Sequence, residues 1–179
     1  IKRAFSFNSG RTAWLAILKN LNLEKGSEVL LQAFTCNAVV NPIRWTGFKP
    51  VFVDIDEKTL NIDPVDLERK ISPASRVVLV QHTFGLAADM KKISDICRRH
   101  NLILIEDCAH SLGASYHNQK LGTFGRAAFF SFGRDKVISS VCGGLAVTND
   151  DELGKKLKEF QSKLPEPSHF WIFQQLLHP

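Results

Sequence analysis

Two periods alternate along the chain. Directly after Ser9-Gly10, apolar positions Trp14, Ile17, Leu18 and Leu21 fall at i, i+3, i+4 and i+7, one face of a helix. The stretch EVLLQ (28–32) is a short continuous apolar run, and NAVVNPIRW (37–45) returns to a helical pattern. Pro42 strains that second reading, because a proline in a helix interior costs about 3 kcal/mol unless it sits in the first turn or at a kink. PVFVDID (50–56) reads as a strand. At DPVDLERKI, Asp63 offers an N-cap and Pro64 the first helical position. RVVLVQ (76–81) is β-branched and apolar on both faces. Asp89 then caps a helix carrying Met90, Ile93, Cys97 and His100. LILIED (102–107), AAFFSF (127–132) and GGLAVT (143–148) are three further strands, and Asn149 is read as the cap of a closing helix with Leu153, Leu157 and Phe160 on one face.

Strands apolar on both faces, separated by amphipathic helices, predict a mostly parallel sheet covered on both sides, a three-layer αβα arrangement. One domain is expected over residues 1–162. KLPEPSH (163–169) reads as a linker, so residues 163–179 become a linker and the start of a further C-terminal region. With no initiator methionine and an apolar HFWIFQQLLHP ending, the expectation is a fragment cut at both ends. In a sheet of this kind ligands bind beyond the carboxyl ends of the strands, which says where to look for chemistry.

Composition narrows the classes. The 179 residues carry a formal charge of +5, and the basic pairs Lys91-Lys92, Arg98-Arg99 and Lys155-Lys156 have acidic neighbours. With no interleaving of aromatic and basic residues, this argues against a nucleic-acid partner. Cys36, Cys97, Cys108 and Cys142 form no C-x-x-C pair and no zinc-like grouping, so a reduced cytoplasmic protein is expected. No apolar run approaches the ~20 residues of a spanning helix. Trp14, Trp45 and the phenylalanines of 129–132 are expected in the core, Cys97 and Cys142 are expected inert, and Cys108 is expected to be a buried packing residue.

Polar groups then collect at the strand ends: Ser9-Gly10-Arg11-Thr12, Thr35, His82, Glu106-Asp107 with His110, and Ser131 with Lys136. Each alone has a bland explanation as a turn residue, a satisfied core histidine or a solvated lysine. Together they fit one cofactor. A glycine at a helix start lets N–H groups point at a phosphate, helped by the helix dipole. Arg11 and Ser131 add charged and hydroxyl contacts. Asp107 against a ring nitrogen keeps it protonated, and the Lys136 amine condenses with an aldehyde. That is the protein's share of pyridoxal 5'-phosphate chemistry.

The segments SGRTAW, AFTCNAVVNPIRWTGFKPVFVDID, NIDP, QHTFGLAADM, IEDCAHSLGASY, GTFGRAAFFSFGRDK and GGLAVTND, in order over residues 6–160, resemble the DegT/DnrJ/StrS family of sugar aminotransferases. The resemblance implies the large domain of a fold-type I, aspartate aminotransferase-like enzyme. It implies Lys136 as the lysine that binds the cofactor aldehyde and Asp107 as the partner of the ring nitrogen. Gly10, Arg11, Thr12 and Ser131 become the phosphate cup, Cys36 stands where an aromatic residue often stacks on the ring, and His110 where a glutamine is common. His82 is a substrate-side candidate. The implied partners are an amino-acid donor such as glutamate, a nucleotide-linked keto-sugar and a second subunit that completes the site in a homodimer. Arg11 in place of threonine, Cys36 in place of an aromatic ring and His110 in place of glutamine are departures that leave Lys136 and Asp107 in place. A sugar dehydratase of the same family would replace the lysine by histidine. A non-catalytic regulatory homologue is the remaining alternative. A Rossmann dinucleotide binder lacks its G-x-G-x-x-G, because Gly122 to Gly125 supplies only a turn.

Overall fold

A computed structural model describes residues 1–177. Its elements run β1 (Arg3–Phe7), α1 (Gly10–Lys19), β2 (Glu28–Gln32), α2 (Asn37–Trp45), β3 (Lys49–Val53), α3 (Pro64–Arg69), β4 (Ser75–Gln81), α4 (Met90–Arg99), β5 (Ile103–Asp107), β6 (Ser115–Tyr116), β7 (Gln119–Lys120), β8 (Ala127–Ser131), β9 (Gly144–Thr148), α5 (Asp151–Ser162) and α6 (His169–Leu177). Seven strands form one sheet in the order β1-β9-β8-β5-β4-β2-β3. The five from β8 to β3 are parallel, whereas β9 runs antiparallel to both β8 and β1. The mostly parallel αβα expectation therefore holds, with an antiparallel edge.

The two-residue period of a strand explains the layers. Along β4, Val77 and Leu79 join one apolar cluster, while Val78 and Val80 join the other. The first cluster packs Trp14, Ile17, Val40, Ile43 and Leu157 from α1, α2 and α5; the second packs Leu67, Met90, Ile93 and Ile96 from α3 and α4. The same alternation splits β5. Ile105 lies in the α1 cluster and Leu104 in the α4 cluster, so Asp107 belongs to the α1 face and Glu106 to the α4 face. On β8, Phe129 and Ser131 share the α1 face.

Local chemistry sets the boundaries. Asp63 and Asp89 cap α3 and α4 as expected, by accepting from Val65 N and Lys92 N. The cap of α5 is Asp150 rather than Asn149: its carboxylate accepts from Leu153 N at 2.9 Å, while the Asn149 side chain accepts from Lys2 N at 2.8 Å and so fastens β1. His100 is the cap residue just past α4. Pro42 stands inside α2 without breaking it, although its ring offers no N–H to the carbonyl of Ala38 one turn earlier. Trp45 corrects the core expectation. It ends α2 and is 57% exposed, whereas Trp14 is fully buried, donates Nε1–H to Val39 O at 3.0 Å and stacks on Phe129. Burial pushes the Cys97 thiol up to about 12 and Cys108 well above its ordinary value, as inert thiols require.

Four elements escaped the sequence reading: β1, the hairpin strands β6 and β7, and α6. No residue of α6 is buried, and it meets the loop after β8 through Gln175, whose backbone oxygen accepts from Arg134 at 3.3 Å. His178 and Pro179 of the apolar tail lie outside the described residues. Among the described residues no helix is long and apolar enough to cross a membrane.

Candidate functional site

The carboxyl ends of β4, β5 and β8 converge where α1 and α2 begin. The cleft there is lined by Gly10, Arg11, Cys36, Gln81, Asp107, Ala109, His110, Phe129, Ser131 and Lys136, with Ala38 and Val39 from α2. A larger groove of 490 Å³ runs between α3 and α4, but its charged groups are already paired: Arg99 with Glu68, Arg69 with Asp66, Lys92 with Asp89 and Asp95 with Arg98. The chemistry collects in the smaller cleft.

Its floor is the start of α1. Ser9 caps the helix by accepting from Thr12 N at 3.2 Å, which leaves the following N–H groups directed out of the helix end. Gly10 permits the approach of this end to β8, since a Cβ there would stand 2.8 Å from Ser131 Cβ. Gly144, at the start of β9, is packed so closely on the Ser9–Gly10 peptide that any side chain would overlap it. Thr12 is not brought to the cleft; its hydroxyl donates to Asn8 Oδ1 at 2.6 Å. Cys36 lines the cleft as the cap of α2, its sulfur accepting from Ala38 N at 3.4 Å.

On the wall, Asp107 is fully buried and accepts from Ala109 N at 3.0 Å through Oδ1. Burial pushes its carboxyl up from 3.8 to about 6, against the pull of that N–H and of Lys136. Lys136 lies in the loop joining β8 to β9, with its side chain 16% exposed. Its Nζ is 2.9 Å from Asp135 Oδ2 and 3.3 Å from His110 Nε2. His110 Nδ1 is buried and has no hydrogen-bond partner among the described residues. Burial, reinforced by the nearby lysine, holds the His110 imidazole below its ordinary range.

Behind the wall lies a group that the sequence reading underrated. Glu106 is wholly buried and takes four donors: Gly122 N at 2.7 Å and His82 Nε2 at 3.3 Å on one oxygen, Phe124 N at 2.7 Å and Gly125 N at 2.8 Å on the other. Because Ala88 N donates to His82 Nδ1 at 3.3 Å, the imidazole proton sits on Nε2 and points at Glu106. His82 therefore has both nitrogens engaged on the α4 side and does not line the cleft. The signal for Glu106 was the paired glycines 122 and 125, which turn three backbone donors toward one acceptor.

A carboxylate, an amine, a hydroxyl and a helix N-terminus meet around one cleft, the helix end brought against β8 by Gly10. This donor set fits pyridoxal phosphate. The pH dependence of stability tests the carboxylate. The native state holds the Asp107 proton more tightly than the unfolded chain, so stability falls as pH rises from about 4 to about 6 and the loss is full above that. A rise from 3.8 to about 6 corresponds to about 3 kcal/mol. Cofactor-free Asp107→Asn is therefore expected to melt several degrees above the parent at pH 7–8 and level with it near pH 4. An advantage of equal size at both ends of the range would rule the burial penalty out.

The model of the DegT/DnrJ/EryC1/StrS aminotransferase family matches residues 1–166. GDP-perosamine synthase of Caulobacter vibrioides is 36% identical over 173 residues, which is 97% of this chain and 47% of that protein. The aminotransferase of Psychrobacter cryohalolentis superposes with a TM-score of 0.87 at 31% identity, over 90% of this chain and 41% of its own. The GDP-4-keto-6-deoxy-D-mannose-3-dehydratase of E. coli, solved with bound hydrated PLP, gives a TM-score of 0.83 at 32% identity over 88% of this chain and 42% of its own. The chain thus spans less than half the length of each of these relatives.

Proposed function

We propose, from the premise that the chain belongs to the DegT/DnrJ/EryC1/StrS aminotransferase family, that it forms the cofactor-binding part of a pyridoxal-phosphate aminotransferase acting on a nucleotide-linked keto-sugar, with an amino acid such as glutamate as donor. The observation that carries this reading is the shared cleft: the Lys136 amine and the buried Asp107 carboxylate line one cavity floored by the start of α1.

When bound, pyridoxal phosphate supplies an aldehyde for amine capture and a ring that withdraws electrons from the neighbouring carbon. The α1 N-terminus and Ser131 would hold its phosphate, Asp107 its ring nitrogen, and Lys136 its aldehyde carbon. Asp107 is already desolvated, so a cationic N–H partner restores the charge that burial opposes. When not engaged with the aldehyde carbon, Lys136 Nζ would take and return a proton. Asp135 Oδ2 and His110 Nε2 orient it.

A second subunit belongs to the proposal, supported by the exposed apolar Leu112, Val137 and Ile138 near His110 and Lys136. A cytoplasmic setting is part of the same reading, and all four cysteines are unbridged. The dehydratase alternative needs an imidazole where this chain has Lys136. The two half-reactions decide. The whole protein loaded with pyridoxal phosphate should yield pyridoxamine phosphate with glutamate, then regenerate the aldehyde form with nucleotide-linked keto-sugars. No conversion with any amino donor would overturn the assignment.

A further inference from the structure

We infer that Phe84 is a positioning residue: its ring, laid flat on His110, holds that imidazole with Nε2 against the Lys136 amine. The inference rests on the proposed reading of Lys136 as the capturing amine. Phe84 has φ 54° and ψ 24°, a left-handed conformation that a bulky L-residue adopts only under constraint. Burial does not explain it, since the side chain is 68% exposed.

The turn around it is built to impose that conformation. Thr83 N donates to Asn61 Oδ1 at 2.8 Å, and Asn61 Nδ2 donates to Leu86 O at 3.1 Å, so one buried asparagine grips both ends. Gln32 Nε2 donates to Thr83 Oγ1 at 3.0 Å from beneath. Gly85 continues the left-handed path at φ +85°, and a Cβ on it would come within 3.2 Å of His110 O, so the turn is seated on the His110 backbone.

What the turn delivers is a ring. Phe84 lies at 10° to the His110 imidazole with centroids 5.9 Å apart, and Phe34 meets Phe84 edge-on at 6.3 Å. A functional imidazole is ordinarily oriented by a hydrogen bond on its far nitrogen. Among the described residues His110 Nδ1 has none, and the stacked ring takes over that task. The charged groups facing His110 are Lys136 and Asp135 from the loop after β8. They are the same in the variants below, so any change reports on the ring.

The test follows the His110 ring by NMR through a pH titration of the whole chain, alongside borohydride trapping of pyridoxal phosphate at Lys136 read by peptide mass. Phe84→Gly removes ring and backbone strain together. Its melting temperature should stay level or rise, while the His110 midpoint moves up toward the ordinary value and trapping slows several-fold. Phe84→Tyr should restore both readouts. A parent-like His110 titration and trapping rate in Phe84→Gly would overturn the inference, as would failure of Phe84→Tyr to rescue. If the parent itself traps no cofactor at Lys136, the proposed function fails, and the His110 titration still judges Phe84 on its own.

Discussion

Replacing Lys136 by arginine is expected to abolish covalent capture of pyridoxal phosphate while leaving the fold intact. The side chain sits in the loop between β8 and β9, makes no contribution to either apolar cluster and is positively charged in both forms. Thermal stability should therefore fall by no more than about 1 kcal/mol, the usual size of a single substitution. The chemistry has no such tolerance. A guanidinium does not deprotonate in proteins and offers no amine lone pair to an aldehyde. Trapping at this position should fall to zero, and turnover of the whole protein by about 10²–10⁴-fold, the usual contribution of a positioned proton-transfer group. Trapping with borohydride followed by peptide mass spectrometry is the direct measurement. An undiminished adduct, carried by Lys120 or Lys91 for example, would move the site elsewhere.

The largest loss of stability is expected at Glu106, not at a residue of the cleft. Glu106→Ala leaves three main-chain N–H groups and the His82 Nε2–H buried without an acceptor. Each unmet donor costs about 1–3 kcal/mol, so even after partial relaxation the total is on the order of 4 kcal/mol or more. That is a large share of the stability of a domain, about 5–15 kcal/mol. Glu106→Gln keeps the volume and one acceptor oxygen but turns an NH₂ toward donors, so about half the loss is expected. Urea unfolding of both variants checks the order. A midpoint for Glu106→Ala close to the parent would mean that water satisfies the turn, and that the four contacts contribute little.

The contrast between adjacent residues shows where sequence reading reaches its end. Asp107 and Glu106 stand side by side, yet only Asp107 was singled out, because which neighbour faces α1 depends on the alternation of a strand whose start the sequence leaves uncertain. His82 had the same ambiguity: its position after a strand was visible, but not that both its nitrogens face Ala88 and Glu106. The parallel core was legible because β4 and β5 are apolar on both faces, a pattern surface segments do not share. The strand β1 was not, since Phe5 and Phe7 supply only two buried positions in five residues. Trp45 was misplaced because size suggested burial, while its place at the end of α2 decided exposure. Phe84 carried no signal at all. Its importance lies in a backbone angle imposed by Asn61, 23 residues earlier.

The antiparallel edge has one more consequence. The strands that enter and leave the Lys136 loop pair with each other at its base, Ser131 opposite Gly144. Residues 132–143 therefore leave the sheet and rejoin it side by side, and beyond that base they meet His110 and Gln175. Lengthening or shortening this loop displaces no neighbouring strand, so descendants of this fold can trial new reactive loops while inheriting the floor and wall unchanged.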